Sequence, residues 1–286
     1  MNKLDRLLNK ADQFKESGKF KEALSTLSKA NKLSPNDPYV YLSYAVTFDM
    51  MEQFHHSLKY YSLALNLKEN DPKILTQYGI TLCRLNRVDE AIHVFIRSIG
   101  IDPGYSLAVW HLAIAYKATG LYEEAIGLFE QCMKEDYDQY YDEIHYQLGQ
   151  CYFDMGWPLE AVKQFREHTD IIPEDSWAYL SLGNCYFDMG WLDESIEKFK
   201  EVIGFDPEFI PSYNALALSY AEKGWYSEAL DILREAHKIS PDDQSVKDNM
   251  DYIESMIDDD KNKLLVLFLM LLTIKSKFSD RDAHTD

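Results

Sequence analysis

At 286 residues, 46% of them hydrophobic and 14% aromatic, the chain can build one large domain or two ordinary ones around a sizeable core. Its 48 acidic residues against 29 basic ones leave a formal charge of -19, which repels phosphate backbones and excludes the basic footprint of a nucleic-acid binder. The opening stretch MNKLDRLLNKADQF sets leucines at helical spacing among charges without a continuous apolar run, so it does not read as a secretory signal, and the expected location is cytoplasmic.

Shifting the sequence against itself by 34 residues aligns most of it, most plainly at CYFDMGW, which occurs at Cys151–Trp157 and again at Cys185–Trp191. From Leu4 the periods run 4–37, 38–71, 72–105, 106–139, 142–175, 176–209 and 210–243, with extra residues at one joint, Gln139–Asp142. Within each period the first element is a helix whose eighth position is small: Ala11, Ala45, Gly79, Ala113, Gly149, Gly183 and Ala217. Position 11 carries a large residue (Phe14, Phe48, Leu82, Tyr116, Tyr152, Tyr186, Tyr220), expected in the core. Position 15 reads Gly18, Glu52, Asn86, Gly120, Gly156, Gly190 and Gly224, the residue types that end a helix in a left-handed cap. The second helix has a small residue at position 20 (Ala23, Ser57, Ala91, Ala125, Ala161, Ser195, Ala229) and a large one at position 24 (Leu27, Tyr61, Phe95, Phe129, Phe165, Phe199, Leu233). Position 32 reads Pro35, Glu69, Pro103, Tyr137, Pro173, Pro207 and Pro241, and proline there stops the second helix. Paired small residues let two helices approach closely, so each period is expected to be a tight antiparallel helix pair.

This pattern resembles the tetratricopeptide repeat, most clearly in LGNCYFDMGWLDESIEKFKEVIGFDP (182–207) and ALALSYAEKGWYSEALDILREAHKISP (215–241). The weakest copy, 38–71, lacks both the turn glycine and the closing proline. The resemblance implies an all-α, right-handed solenoid superhelix of stacked helix pairs, continuous from Leu4 to Asp243, with first helices lining a concave groove. It implies a protein-interaction scaffold or adaptor and no enzyme.

The residues themselves point the same way. There is no G-x-S-x-G elbow, H-E-x-x-H helix, P-loop or dinucleotide fingerprint. Cys83, Cys132, Cys151 and Cys185 form no CxxC pair and no zinc-like spacing with histidine, so they read as small buried thiols, and neither metal nor cofactor is expected.

The family's groove positions, 2, 5, 6, 9, 12 and 13, carried onto this chain, name Arg84, Trp110, His111, Lys117, Tyr146, Gln150, Phe153, Asp154, Trp177, Asn184, Phe187, Asp188 and Asn214 as the partner-binding set. Aromatics interleaved with amides suit a peptide or a partner helix. Lys73, Arg84 and Lys117 make the middle of this row basic, whereas Glu143, Asp154, Asp188 and Glu222 make its later part acidic, so a partner with basic residues is expected there. Relatives that clamp a chaperone's terminal carboxylate use Lys, Asn and Arg at positions where this chain has Leu8, Asp12, Ser43, Lys73 and Gln77, and only Lys73 matches.

Position 16 holds Leu121, Trp157, Trp191 and Trp225 in successive periods, although the family does not require a large apolar residue there. Two readings stay open, local packing against Met155 and Met189 or a contact stripe along the turn edge. After the last period, 244–257 is expected to be a polar capping helix, 261–278 an apolar helix with basic flanks and 279–286 a disordered tail. Leu264–Ile274 has eleven residues without a charge, about 16 Å as a helix against a bilayer core of about 30 Å, bracketed by Lys261, Lys263, Lys275 and Lys277. Burial in a degenerate eighth period, self-association and membrane attachment through this segment stand as alternatives. The last two belong to the competing functional reading, an oligomeric or membrane-attached assembly factor.

Overall fold

A computed structural model describes residues 2–134 and 141–258, and helices are the regular structure throughout them. The joint residues up to 140, Tyr137, the apolar segment Leu264–Ile274 with its flanking lysines and the tail 279–286 lie outside the described residues. Two compact units divide between Cys151 and Tyr152. In the first, α1 (Lys3–Glu16) pairs with α2 (Phe20–Leu33), α3 (Pro38–Met50) with α4 (Phe54–Leu67), α5 (Pro72–Arg84) with α6 (Val88–Ile101), and α7 (Ser106–Ala118) with α8 (Tyr122–Lys134). Helix α9 (Tyr141–Asp154) contains the division. The second unit holds α10 (Pro158–Ile171), the pair α11 (Ser176–Asp188) and α12 (Leu192–Phe205), the pair α13 (Ile210–Glu222) and α14 (Tyr226–Ile239), and a further helix, α15, over residues 244–258. The fold class is the all-α helical repeat.

Each turn between the helices of a pair is closed by the same two backbone bonds. The amide at position 15 donates to the carbonyl at position 12 and the amide at position 16 to the carbonyl at position 11, as in Gly190 to Phe187 (2.8 Å) and Trp191 to Tyr186 (2.8 Å). This Schellman arrangement requires a left-handed residue at position 15. All seven copies comply, with φ between 57° and 79°, Glu52 (57°) and Asn86 (58°) included. Glu52 thus adopts a conformation that glycine would take at lower cost. The second helices α2, α4, α6, α10, α12 and α14 start without a side-chain cap, whereas Asn2, Asp37, Asp71 and Asp175 accept first-turn amides at the heads of the first helices α1, α3, α5 and α11.

Packing follows the small and large slots. Every residue at positions 8, 20 and 24 is buried. The fit is tightest where glycine faces phenylalanine: a Cβ built on Gly183 would lie 2.4 Å from Cε1 of Phe199, and one on Gly79 2.5 Å from Cε1 of Phe95. Position 11 departs from the expected core. Leu82, Tyr186 and Tyr220 are buried, but Phe14, Phe48, Tyr116 and Tyr152 are half-buried, because this position closes the turn at the open edge of the pair. The period 38–71 shares a polar core with the next one, in which Oδ2 of the buried Asp49 accepts hydrogen bonds from the Tyr61 hydroxyl and, across the joint, the Thr81 hydroxyl, both at 2.7 Å.

In the first unit α1 meets α3, α3 meets α5 and α5 meets α7, and in the second α11 meets α13. First helices therefore form the closer-packed layer of each unit and line its inner side. Among the described residues no helix is long and apolar enough to cross a membrane.

Candidate partner-binding surfaces

In the first unit the structure separates the expected groove residues by helical position. Arg84 (position 13) is exposed, and His111 (position 6), Lys117 (position 12) and Gln150 (position 9) are half-buried. Trp110, at position 5, does not face a partner: it is only 5% exposed and sets its ring edge against Phe129, with centroids 5.3 Å apart. The reason is geometric. Positions 5, 8 and 12 rise along one stripe of a helix, so a residue one turn before the small slot turns toward the next repeat. Leu42, Thr76 and Leu180, also at position 5, are buried likewise, and Tyr146 is half-buried.

His111 is neutral near pH 7. Burial, reinforced by the charge of Arg84, lowers its pKa to about 4, and its ring stacks on Phe95 with centroids 6.0 Å apart. The Lys117 ammonium donates to Oε1 of Gln147 and, at 2.6 Å, of Gln150, which fixes both amides on the inner side.

The inner side of α1, α3 and α5 also encloses a cleft of about 490 Å³, lined by Leu4, Leu8, Asp12, Lys15, Tyr39, Ser43, Val46, Lys73 and Gln77 among others. Lys15 is buried in its wall, paired with Asp12 at 2.7 Å and donating to Ser43 at 3.3 Å. Leu8, Asp12, Ser43, Lys73 and Gln77 thus share one site, although they do not form a carboxylate clamp. The same groove positions had brought them together in the sequence; Lys15, at position 12, was the additional signal.

In the second unit Asp154 and Asp188 are exposed, and Phe153, Asn184 and Phe187 are half-buried. Trp177 is 56% exposed while its edge rests against Phe209, with centroids 4.9 Å apart, so the ring is held in place yet leaves most of its surface to solvent. Asn214 is a further departure from the expected set. It occupies position 5, is half-buried, and its side-chain amide donates one hydrogen bond to Ser245 of α15 at 2.8 Å, which ties it to that helix. Behind this row, burial and then the charge of Asp188 push the Cys185 thiol up to about 12, so it stays protonated and unreactive.

The turn edge carries the position-16 residues. Leu121 is exposed in the first unit. In the second, Trp157, Trp191 and Trp225 are 49%, 47% and 44% exposed. Each lies on the tyrosine five residues before it: Tyr152 at 6.0 Å, Tyr186 at 5.9 Å and Tyr220 at 5.7 Å between centroids. This is the apolar contact that accompanies a Schellman cap, between the residue after the left-handed one and the residue whose carbonyl it binds. Local packing therefore uses these tyrosines and about half of each indole.

Models of the tetratricopeptide repeat match residues 111–139, 142–175, 178–209 and 210–243. No curated protein matches the chain. Among solved structures it is similar to YrrB, described as a TPR protein with an unusual peptide-binding site, at 22% identity and a TM-score of 0.52, covering 65% of this chain and 95% of that one. A tetratricopeptide repeat protein from Parabacteroides merdae superposes with a TM-score of 0.64 at 14% identity, over 88% of this chain and 98% of its own. MamA matches at 25% identity with a TM-score of 0.54, over 59% of this chain and 92% of its own. At these identities the likenesses establish the helical repeat fold.

Proposed function

We propose that this chain, which belongs to the tetratricopeptide repeat family, is a non-catalytic scaffold that holds a segment of another protein on the inner side of its second unit. Proteins of this repeat are interaction scaffolds, and YrrB is described as binding peptide. The observation that carries the finer reading is the row of Phe153, Trp177 and Phe187, rings that leave surface exposed beyond a core already filled at positions 8, 20 and 24. Such rings bury large area for little loss of rotamer freedom, and Asn184 adds a hydrogen-bonding group among them. Asp154 and Asp188 follow Phe153 and Phe187 directly, which favours a segment that carries lysine or arginine.

The test is a pull-down with the full chain, repeated with Phe153→Ala together with Phe187→Ala, and then with the purified partner at low and raised salt. Loss of the same partner from the double variant, with helix content retained, supports the assignment. Partners kept in full by that variant refute it, and an affinity indifferent to salt refutes the basic segment.

A further inference from the structure

The turn edge of the second unit is built in two ways. Between the turns at Trp191 and Trp225 the step is filled from within: the Lys223 ammonium lies 4.2 Å from the centroid of the Trp225 ring and pairs with the carboxylate of Asp193. One period earlier the two corresponding positions hold Met189 and Leu159, so no ion pair can form. There the step stays open, as a cleft of about 570 Å³ lined by Trp157, Leu159, Glu160, Met189 and Trp191 with the turn residues Gly156 and Pro158. Leu159 is 60% exposed, high for a leucine, and with the free halves of two indoles it makes a contiguous apolar surface.

The rim of the cleft is acidic. Glu160 lines it and Glu194 stands three residues after Trp191, both exposed, while Lys163, a turn further along α10, offsets part of that charge and the nearby Asp193 is already paired with Lys223. The repeats of a second copy would bring a surface of the same sign against it, since the whole carries a formal charge of -19. We propose that the cleft is a docking site, separate from the inner side, for a segment of another protein that presents an aliphatic side chain beside a lysine or arginine. The aliphatic group enters between Trp157 and Trp191 above Leu159. The cation takes the role that Lys223 plays one period on, against an indole face and a carboxylate.

A short fluorescein-labelled peptide of alternating leucine and lysine pairs is the probe, titrated into the full chain by fluorescence anisotropy. Saturable binding is expected, weakened roughly tenfold or more by Leu159→Asp. Leu159 is a surface residue, so this variant folds, and it adds an acid, so attraction by charge alone would hold or strengthen. Unchanged binding by Leu159→Asp overturns the proposal, as does equal binding of a peptide with glutamate in place of lysine. Phe187→Ala, on the inner side, leaves this binding intact even if it abolishes capture of the partner proposed above; weakening by it equal to that from Leu159→Asp overturns the separateness of the site. A full chain that binds the peptide only after Lys261, Lys263, Lys275 and Lys277 are changed to glutamine would place the chain's own basic-flanked segment in the cleft and overturn an outside occupant.

Discussion

Replacing Gly183 with alanine tests how the repeat holds its two helices together. A methyl group there would sit 2.4 Å from Cε1 and 2.8 Å from Cδ1 of Phe199, a ring that is buried on all sides, whereas carbon atoms rest at about 3.5–4.0 Å. The ring or the helix must move by about an ångström, which costs about 1–3 kcal/mol. Alanine recovers about 1 kcal/mol of helix propensity over glycine, so a net loss of up to about 2 kcal/mol is expected for Gly183→Ala. Position 8 alanine goes with leucine at position 24 in two repeats (Ala11 with Leu27, Ala217 with Leu233) and with a ring in two others (Ala45 with Tyr61, Ala113 with Phe129), so a smaller partner is one way to relieve the contact and a shift of the ring is another. Phe199→Leu in the Gly183→Ala background should therefore lose less than the sum of the two single changes, with a coupling of about 1 kcal/mol or more. Guanidinium unfolding of the four proteins, followed by circular dichroism, measures this. A stabilised Gly183→Ala, or strictly additive changes, would refute the close-approach account.

Other outcomes follow from the same structure. Glu52→Gly should raise stability by about 1 kcal/mol by relieving a non-glycine residue at φ 57°, and a lowered unfolding midpoint would contradict it. Asp49→Ala leaves the Tyr61 hydroxyl buried without its acceptor and should cost about 2–4 kcal/mol, with Asp49→Asn costing less, both read from denaturation curves. His111 has a pKa near 4 when folded and an ordinary 6.5 when not, so the unfolded chain binds the extra proton between those values. Its contribution is complete above pH 6.5 and falls as the pH drops toward 4, by about 3 kcal/mol in all. The stability difference between the natural chain and His111→Gln should therefore shrink or reverse across that window, and a difference constant with pH would show that burial does not hold the imidazole neutral.

The helix pairs were legible in the sequence because their determinants are single residues at fixed positions: a left-handed cap at 15, small residues at 8 and 20, a large one at 24. Even Glu52, which breaks the pattern, adopts the backbone of the glycines it replaces, since the paired amides of the cap and the packing of six similar neighbours outweigh one residue's preference. The candidate surface was less legible. Periodicity places Trp110 and Asn214 on the first helix, but not how far that helix rotates against the next repeat, and a rotation of one position turns a groove residue into an interface residue. The role of Trp157 and Trp191 was half legible. Their spacing after glycine was plain, while the stacking on Tyr152 and Tyr186 depends on the Schellman turn bringing positions 11 and 16 together.

A photo-crosslinking amino acid in place of Phe187 tests the central claim most directly. With the partner present, the account predicts a covalent adduct from that position and none from the same group at Lys238, which is exposed on the second helix of its repeat. Adducts from Lys238 with none from Phe187 would contradict it.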